Sequence, residues 1–509
     1  MTVTEDRRDL NGSQNTSRFE NEPWSEIDWK AIEISVFRLQ KRIYRASLEG
    51  NSGKVKKLQR LLLKSRAAML LAIRQVTQLN TGKKTPGIDG KANLNEAERI
   101  QLTEELQRKS RIWDHKEVRR IFIPKKNGEK RPLGIPTIAD RAWEALIKLA
   151  LEPAAEAEFH PKSYGFRPGR TAWDAAEDIF LSTKSRATNF SGKILELDIE
   201  KCFDKIDHKY LMQKICLPPQ YKMGVWRTLK AGVIVGFNKE ETTEGTPQGG
   251  VFSPLFANIA LNGIEEIGRC IRYADDMIFV IQKKENPVKM RKQIDQELQK
   301  RGLEVKESKT RISDMTKGFD FLGFNFRLIG KPAIKSKRFP VKDWLKGIKR
   351  KINHILKEPL NDEMKVGKIH RICRGKIQYY KYCDLEPVRG QWWRLDDKIY
   401  KRFGIGVTPL EYNSTGYFKI KGNKSPFDGD TAYWINRMQK KYDGVHRKLI
   451  KSQDTKCPMC NLRLRVTDDI HVHHVNKDHS DSRWQNLQIV HRACHQIHHR
   501  LGCKSIHTN

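Results

Sequence analysis

Two aspartates, Asp275 and Asp276, stand side by side in RCIRYADDMIFV (residues 269–280), between two apolar runs. Carboxylates held together repel, and each raises the pKa of the other unless divalent cations neutralise them. Taken alone, such a pair is more often a solvated turn. Context shifts that balance, because GKILELDIEKCFDKIDH (192–208) brings a third carboxylate, Asp198, at the end of an expected strand and just before an expected helix. Three converging carboxylates suit hard Mg2+ ions. Two such ions, about 3.5 to 4 Å apart, serve in-line nucleotidyl transfer by lowering the pKa of an attacking 3′-hydroxyl and stabilising a leaving pyrophosphate. A second chemistry-bearing set lies in the tail: CPMC supplies Cys457 and Cys460, and HRAC supplies His491 and Cys494. That is a Cys3His set with spacings suited to one tetrahedral structural Zn2+.

The elements that must position these groups follow from periodicity. CIRY and MIFVI, rich in β-branched and aromatic residues, predict the two strands of a hairpin with Asp275 and Asp276 at its turn. A chain of 509 residues exceeds what one core serves, so several domains are expected. From Trp29 to about Gln78, apolar spacings of three and four predict two amphipathic helices, with Lys and Arg on a face open equally to solvent and to RNA. After a Gly- and Pro-bearing loop (80–90), short β-branched runs mix with helical ones to about residue 330, an α+β organisation. Between Lys331 and Lys351 nine Lys or Arg stand against one acid, Asp343, and an all-helical basic domain is expected to begin there. Residues 411–430 read as a linker or irregular platform.

The balance of 97 Lys+Arg against 61 Asp+Glu, a net charge of +36, makes a polyanion the first partner to expect. No apolar stretch approaches the ~20 residues needed to span a bilayer, so no membrane partner is expected. The polar, acid-bearing start has neither the apolar core of a secretory signal nor the character of a transit peptide, and a cytoplasmic location is the expectation. Nine cysteines, several isolated between residues 202 and 383, fit reduced thiols better than a disulfide framework.

The order GTPQGG (245–250), then RYADD (272–276), with DIEKCFD (198–204) upstream, resembles a reverse transcriptase. TPGIDG (85–90), RPLGIPTIADR (131–141), SYGFRPGR (163–170) and GFDFLGF (318–324) look like the successive motifs of group II intron-encoded proteins, which are reverse transcriptases and RNA maturases. The resemblance runs from about residue 80 to the C-terminus. It implies that Asp198, Asp275 and Asp276 are the catalytic triad holding two Mg2+ ions. Phe203 would lie under the incoming sugar and exclude a 2′-hydroxyl, favouring dNTPs. Gln248 would contact the nucleotide near its sugar, Lys125 and Arg131 would grip its triphosphate, and Lys309 would be a basic group near the site. Gly165 and Gly169 are expected at tight turns. RGKIQYY (374–380) resembles the maturase, or thumb, region, with Lys376 where the family has Trp; most aromatics there are expected in the core, with Lys and Arg left to meet nucleic acid.

In the tail, HVHHVNKDHSDSRWQNL and HRACHQIHH resemble an HNH endonuclease. By that register His474 is the general base, His473, His495 and His499 hold one divalent cation, and Asn486 orients the base's loop. His471 stands where the family has Glu, which puts cleavage in question and leaves open an inactive zinc module that only grips DNA. The fold class implied is α+β and multidomain: a right-hand polymerase (fingers and palm) with a helical thumb/maturase domain and a small zinc-binding ββα HNH domain. The divisions expected are an N-terminal helical extension with a family N-terminal block (1–92), fingers and palm (93–330), thumb/maturase (331–410), a DNA-binding or linker region (411–450) and the HNH domain (451–509). The implied function is to bind group II intron RNA, promote its splicing, and copy it with dNTPs at a target DNA site. An RNA-binding splicing factor with decayed enzymatic parts and a retron- or defence-type reverse transcriptase stand beside that reading.

Overall fold

The structure, a computed structural model, describes residues 23–124, 128–184, 189–236, 238–246, 249–330, 335–407, 416–442 and 444–465, and from there 468, 470–478, 481, 483–492, 494, 495 and 498. The N-terminal pattern folds as three helices rather than two, Trp29–Leu48, Ser52–Lys64 and Arg66–Arg74, because Ser65 takes an extended conformation between the last two. Their apolar faces close on the helix Ile138–Glu158, which is buried over most of its circumference and so belongs inside a core. Gln40, Ser47 and Gln59 donate to the carbonyls of Leu149, Ala154 and Ala150, so the side-chain donors in that contact find acceptors. The basic helix face expected to be open is therefore the outer one only.

Strands β1 (Val118–Pro124) and β2 (Lys130–Ile135) form an antiparallel pair. After β3 (Phe190–Leu197), β4 (Val233–Val235) and β5 (Asn238–Glu240) extend that first sheet in the order β2-β1-β4-β5. The central sheet, β6-β7-β3-β8, is antiparallel throughout and is completed by β6 (Cys270–Tyr273), β7 (Asp276–Gln282) and β8 (Arg311–Asp314). Successive side chains of a strand point to opposite faces. On β7 this sends Met277, Phe279 and Ile281 into the core shared with the N-terminal helices, and Ile278 and Val280 into a second core shared with the helices that follow residue 343. Both faces are covered, which explains the unbroken apolar run MIFVI.

A third sheet, β11-β10-β9, contains β9 (Phe319–Phe321), β10 (Phe324–Ile329) and β11 (Lys335–Pro340). The expected boundary at 330 falls inside its β10–β11 pair, so the basic segment opens with a strand and is not all helical. Helices Trp344–Lys357, Asp362–Tyr380 and Arg389–Phe403 follow. Trp344 stacks on Trp392 with centroids 5.8 Å apart and meets Tyr380 edge-on at 5.0 Å, while Trp393 is exposed. Lys349, Arg350 and Lys351 line an outer face.

Residues 416–442 form an ordered platform rather than a loose connection. Arg437 makes a buried ion pair with Asp174 (2.8 Å), Lys419 reaches Asp178 (2.7 Å), and Ile420 N donates to Asp174 (2.7 Å). The tail adds helix Gly444–Ser452 and the antiparallel pair β12 (Ile470–His474) and β13 (Leu487–His491). Among the described residues no helix is long and apolar enough to cross a membrane.

Candidate active site and metal centre

The β6–β7 hairpin turns through Ala274 and Asp275 alone, since Tyr273 pairs with Asp276. On the next strand Leu197 pairs with Met277, so one residue further along that register Asp198 lies opposite Asp276. Strand pairing thus brings together all three aspartates singled out in the sequence. Desolvation within the site, then Asp275 and Asp198, push the Asp276 carboxyl up to about 6, although the residue as a whole is exposed to solvent, which tempers that rise. Burial also raises Asp275, with Asp198 adding to the rise and Arg131 and Lys309 opposing it. Lys309 sets its Nζ 2.7 Å from Asp198 Oδ2. Among the described residues only the tail set gathers three or more such ligand atoms within 4.8 Å, so the aspartates sense one another without closing that far. The donor set fits a divalent cation: three hard oxygens, two of them carrying a charge their surroundings disfavour.

Groups absent from the sequence reading hold the hairpin. Arg272 is fully buried; its Nε lies 2.5 Å from Glu265, and its Nη1 donates to Asn258 Oδ1 (2.9 Å) and Ala274 O (3.1 Å). Asn258 in turn donates to Gly165 O at 2.8 Å. Ala274 takes a left-handed φ of 59°, costing about 1 to 2 kcal/mol for a residue with a Cβ, and the Arg272 bond to its carbonyl helps hold it there. A Cβ on Gly165 would stand 2.4 Å from Ala274 N. Gly165 sits in a turn, as expected, and also permits this close approach to the hairpin, while Gly169, with φ +74°, sits at the next turn. A buried Arg in an apolar run, as in CIRY, was the one signal available for this network.

Arg131 is exposed on β2, and its charge bears on Asp275. Phe203 is half-buried in the short helix Cys202–Lys205, its ring edge-on to that of Phe166 at 6.5 Å, and its carbonyl accepts from Thr246 N at 2.6 Å. The GTPQGG segment is thereby anchored beside Phe203. Lys125 and Gln248 lie outside the described residues.

Comparison with known proteins adds an independent observation. Residues 123–326 match the family model described as reverse transcriptase (RNA-dependent DNA polymerase), and residues 24–106 match that for the N-terminal domain of reverse transcriptase. The chain is 32% identical to maturase-like protein 1 of Euglena gracilis over 368 residues, 71% of this chain and 78% of that protein. It belongs to the reverse transcriptases of the maturase-like, group II intron-encoded type. The corresponding protein of Euglena longa is 29% identical over 378 residues, 74% of this chain and 82% of that one. The group II intron-encoded protein LtrA of Lactococcus lactis subsp. cremoris is 40% identical over 153 residues, 29% of this chain and 25% of that protein. A reverse transcriptase domain implies the right-hand polymerase fold, and RNA-directed DNA polymerisation, which uses divalent metal, is the activity it supports.

The tail of this intron-encoded reverse transcriptase carries the second centre. Cys457, Cys460, His491 and Cys494 bring their ligand atoms within 4.8 Å of one another. His491 Nε2 lies 3.2 Å from Asp468 Oδ2, which turns Nδ1 toward Cys460 (3.3 Å) and Cys494 (3.9 Å). A carboxylate behind a histidine fixes its ring for a metal in this way. Cys460, then Cys494, hold the Cys457 thiol well below its ordinary value, while the Cys494 thiol is pushed far up: the crowded sulfurs share too little positive charge. That chemistry fits Zn2+. Of the histidines read as a cation set, His473 and His495 meet edge-on with ring centroids 5.3 Å apart, and His499 lies outside the described residues. His498, which the sequence reading passed over, meets His473 at 5.0 Å, and His471 meets His495 at 5.5 Å. His474 ends β12; the loop after it is tied by Asn486, whose side chain accepts from Asn476 N (2.9 Å) and donates to Asp481 O (2.9 Å).

Proposed function

We propose that this chain copies group II intron RNA into DNA at a target DNA site, with Asp198, Asp275 and Asp276 holding two Mg2+ ions. The observation that carries the reading is the register of β3, β6 and β7, which brings three carboxylates together beside Arg131 and Lys309. Bound there, Mg2+ would supply Lewis-acid activation of the primer 3′-hydroxyl and charge neutralisation at the pyrophosphate. The chain's own residues do the rest. Arg131, with Lys125, binds the triphosphate through charge-assisted hydrogen bonds. Phe203 closes the space below the sugar, and Gln248 orients the nucleotide. The basic outer face with Lys349, Arg350 and Lys351 holds intron RNA. Replacing Asp275 and Asp276 together by Ala is expected to abolish DNA synthesis on an RNA template while intron binding persists; continued synthesis by that variant overturns the assignment.

For the tail, the reading is an HNH module built on a structural Zn2+ held by Cys457, Cys460, His491 and Cys494. His474 acts as base toward water, and His473, His495 and His499 face the cation at the scissile phosphate. The Asn486 ties to the loop after His474 support it. His471, where the family has Glu, lies in the imidazole cluster. Strand cleavage of target DNA is expected to rise in His471→Glu and vanish in His474→Ala; nicking by His474→Ala at the wild-type rate ends the reading.

A further inference from the structure

A cavity of about 390 Å3 opens between the SYGFRPGR block, with part of helix Ile138–Glu158, and the platform of residues 416–442. Lys148, Arg167, Arg170, Arg437 and Lys440 line it against a single carboxylate, Glu152, whose pKa burial raises. Three of the cations have acids of their own. Arg167 pairs with Glu156 (2.8 and 3.0 Å), Arg437 with Asp174 (2.9 and 2.8 Å), and Lys148 with Glu152 (3.6 Å). Arg170 differs: its guanidinium donates only to carbonyls, of Pro161 (2.8 Å), Gly422 (3.4 Å) and Lys424 (3.4 Å). Arg170 and Arg437 are 8% and 4% exposed, and the Nε of each is buried without an acceptor among the described residues. A buried guanidinium without a carboxylate is costly unless an anion completes it. The walls thus carry a surplus of positive charge in a space large enough for a ligand.

The rest of the lining says which anion. Lys440 is exposed and lies over the Phe418 ring at 4.2 Å, and Tyr417 stands beside it. On the other wall Phe166 is 54% exposed, and its ring meets Phe203, so the cavity opens along an aromatic surface toward the nucleotide pocket. Cations interleaved with aromatic faces suit a strand with phosphates and unpaired bases, whereas a free phosphate has no use for the rings. We propose that this cavity grips the phosphodiester backbone of the single-stranded template RNA beside the nucleotide pocket, so that the platform of residues 416–442 is part of the template grip. The proposal rests on the polymerase reading for the strand's identity.

The test measures binding of the full chain to a fluorescent oligouridylate of about 20 nucleotides by anisotropy, across salt concentrations and without dNTP or primer. Lys440→Ala and Phe418→Ala remove an exposed cation and its aromatic support; Lys57→Ala, on the exposed face of helix Ser52–Lys64, is the control. Lys440→Ala is expected to weaken binding three- to tenfold and to flatten the slope of log K against log[salt] by about 0.7, one phosphate contact on a single strand. Phe418→Ala is expected to weaken binding with little change of slope, and Lys57→Ala to change neither. Unchanged affinity and slope in Lys440→Ala overturn the proposal. So does a loss confined to inorganic pyrophosphate, tested as competitor, since that marks a free-anion site. Primer extension is read separately: strand binding that depends on Lys440 without any extension by the wild type sinks the polymerase reading and leaves the cavity's grip standing.

Discussion

Lys309 Nζ lies 2.7 Å from Asp198 Oδ2, so one ammonium neutralises part of a site built to hold more positive charge. Asp198 leads the causes that raise the Lys309 pKa, and Lys309 in turn lowers those of Asp275 and Asp276. The ammonium and a divalent cation therefore compete for the same carboxylates. In Lys309→Ala the metal-free carboxylates repel without relief, and Mg2+ meets no rival. The rise in Tm on adding Mg2+ is expected to be larger in Lys309→Ala than in wild type, with a lower Tm in chelator. A smaller rise assigns Lys309 to holding the metal-bound arrangement instead.

Arg272 and Glu265 form an ion pair with both side chains at 0% exposure. Removing one partner leaves an uncompensated buried charge or its empty place, a loss of about 3 to 5 kcal/mol. Arg272→Met is expected to lose stability on that scale in urea unfolding and to lose polymerisation. Arg272→Met combined with Glu265→Leu is expected to regain most of the stability, because no charge stays buried. It is not expected to regain activity, because the bond to Ala274 O that holds the hairpin turn is still missing. A double variant that polymerises normally would show that the turn needs no such bond.

Phe203 presents its ring between Phe166 and the core, half-buried and beside the GTPQGG segment. Shrinking it to Val opens room below the sugar without exposing a polar group. Phe203→Val is expected to raise the ratio of rNTP to dNTP incorporation by at least tenfold in primer extension, with folding preserved. An unchanged ratio makes Phe203 a packing residue.

His115 gives the fold a pH dependence. Burial disfavours its charge, but the hydrogen bond to Glu144 (3.1 Å), the nearby Asp140 and the Lys116 carbonyl (2.7 Å) outweigh it and raise its pKa above 6.5. Since the folded pKa exceeds the unfolded one, the stabilisation is fully present below about pH 6.5 and is lost as pH rises through the folded value. Wild-type stability is expected to fall across that interval above pH 6.5, and His115→Gln to flatten the fall. Equal slopes for the two chains contradict a charged His115. Glu144 also accepts from Val251 N at 2.5 Å, so the same loss is expected to loosen the segment that carries Gln248.

The hairpin, Asp198 and the Cys3His set were legible because local patterns encode them: runs of β-branched and aromatic residues, a strand-to-helix junction, and ligand spacing. The supports were not. Arg272 reads as a strand residue like its neighbours, and nothing in the spacing of Glu265, Asn258 and Gly165 tells that a fold gathers them around one guanidinium. Residues 411–430 read as a linker or irregular platform because Gly, Asn, Ser and Asp mark turns, and the described part is the platform. Their order comes instead from Asp174 and Asp178, more than 200 positions earlier, which no local pattern reports. The boundary at 330 missed for a related reason: basic composition changes there, but strand pairing continues across it.

The tail packs a small core of its own, with Leu449, Ile450, Leu464, Ile489 and Val490, which is too little apolar surface to fold a segment of that size without help. A metal on the thiolate set would supply part of that help, and contact with the N-terminal helices supplies more. Arg465 lies over Phe37 at 4.4 Å, and the charges of Arg465, Asp468 and His491 all bear on Glu33. Loss of zinc should therefore be felt in two places. Cys457→Ser is expected to release the bound Zn2+, to unfold residues from about 453 onward, and to raise amide hydrogen exchange in helix Trp29–Leu48 near Glu33 and Phe37. His474→Ala is expected to keep its Zn2+ and show neither change, because that side chain lies outside the thiolate set. Faster exchange confined to the tail in Cys457→Ser would mean that the N-terminal helices do not depend on the zinc module, and the contact through Arg465 would then be incidental.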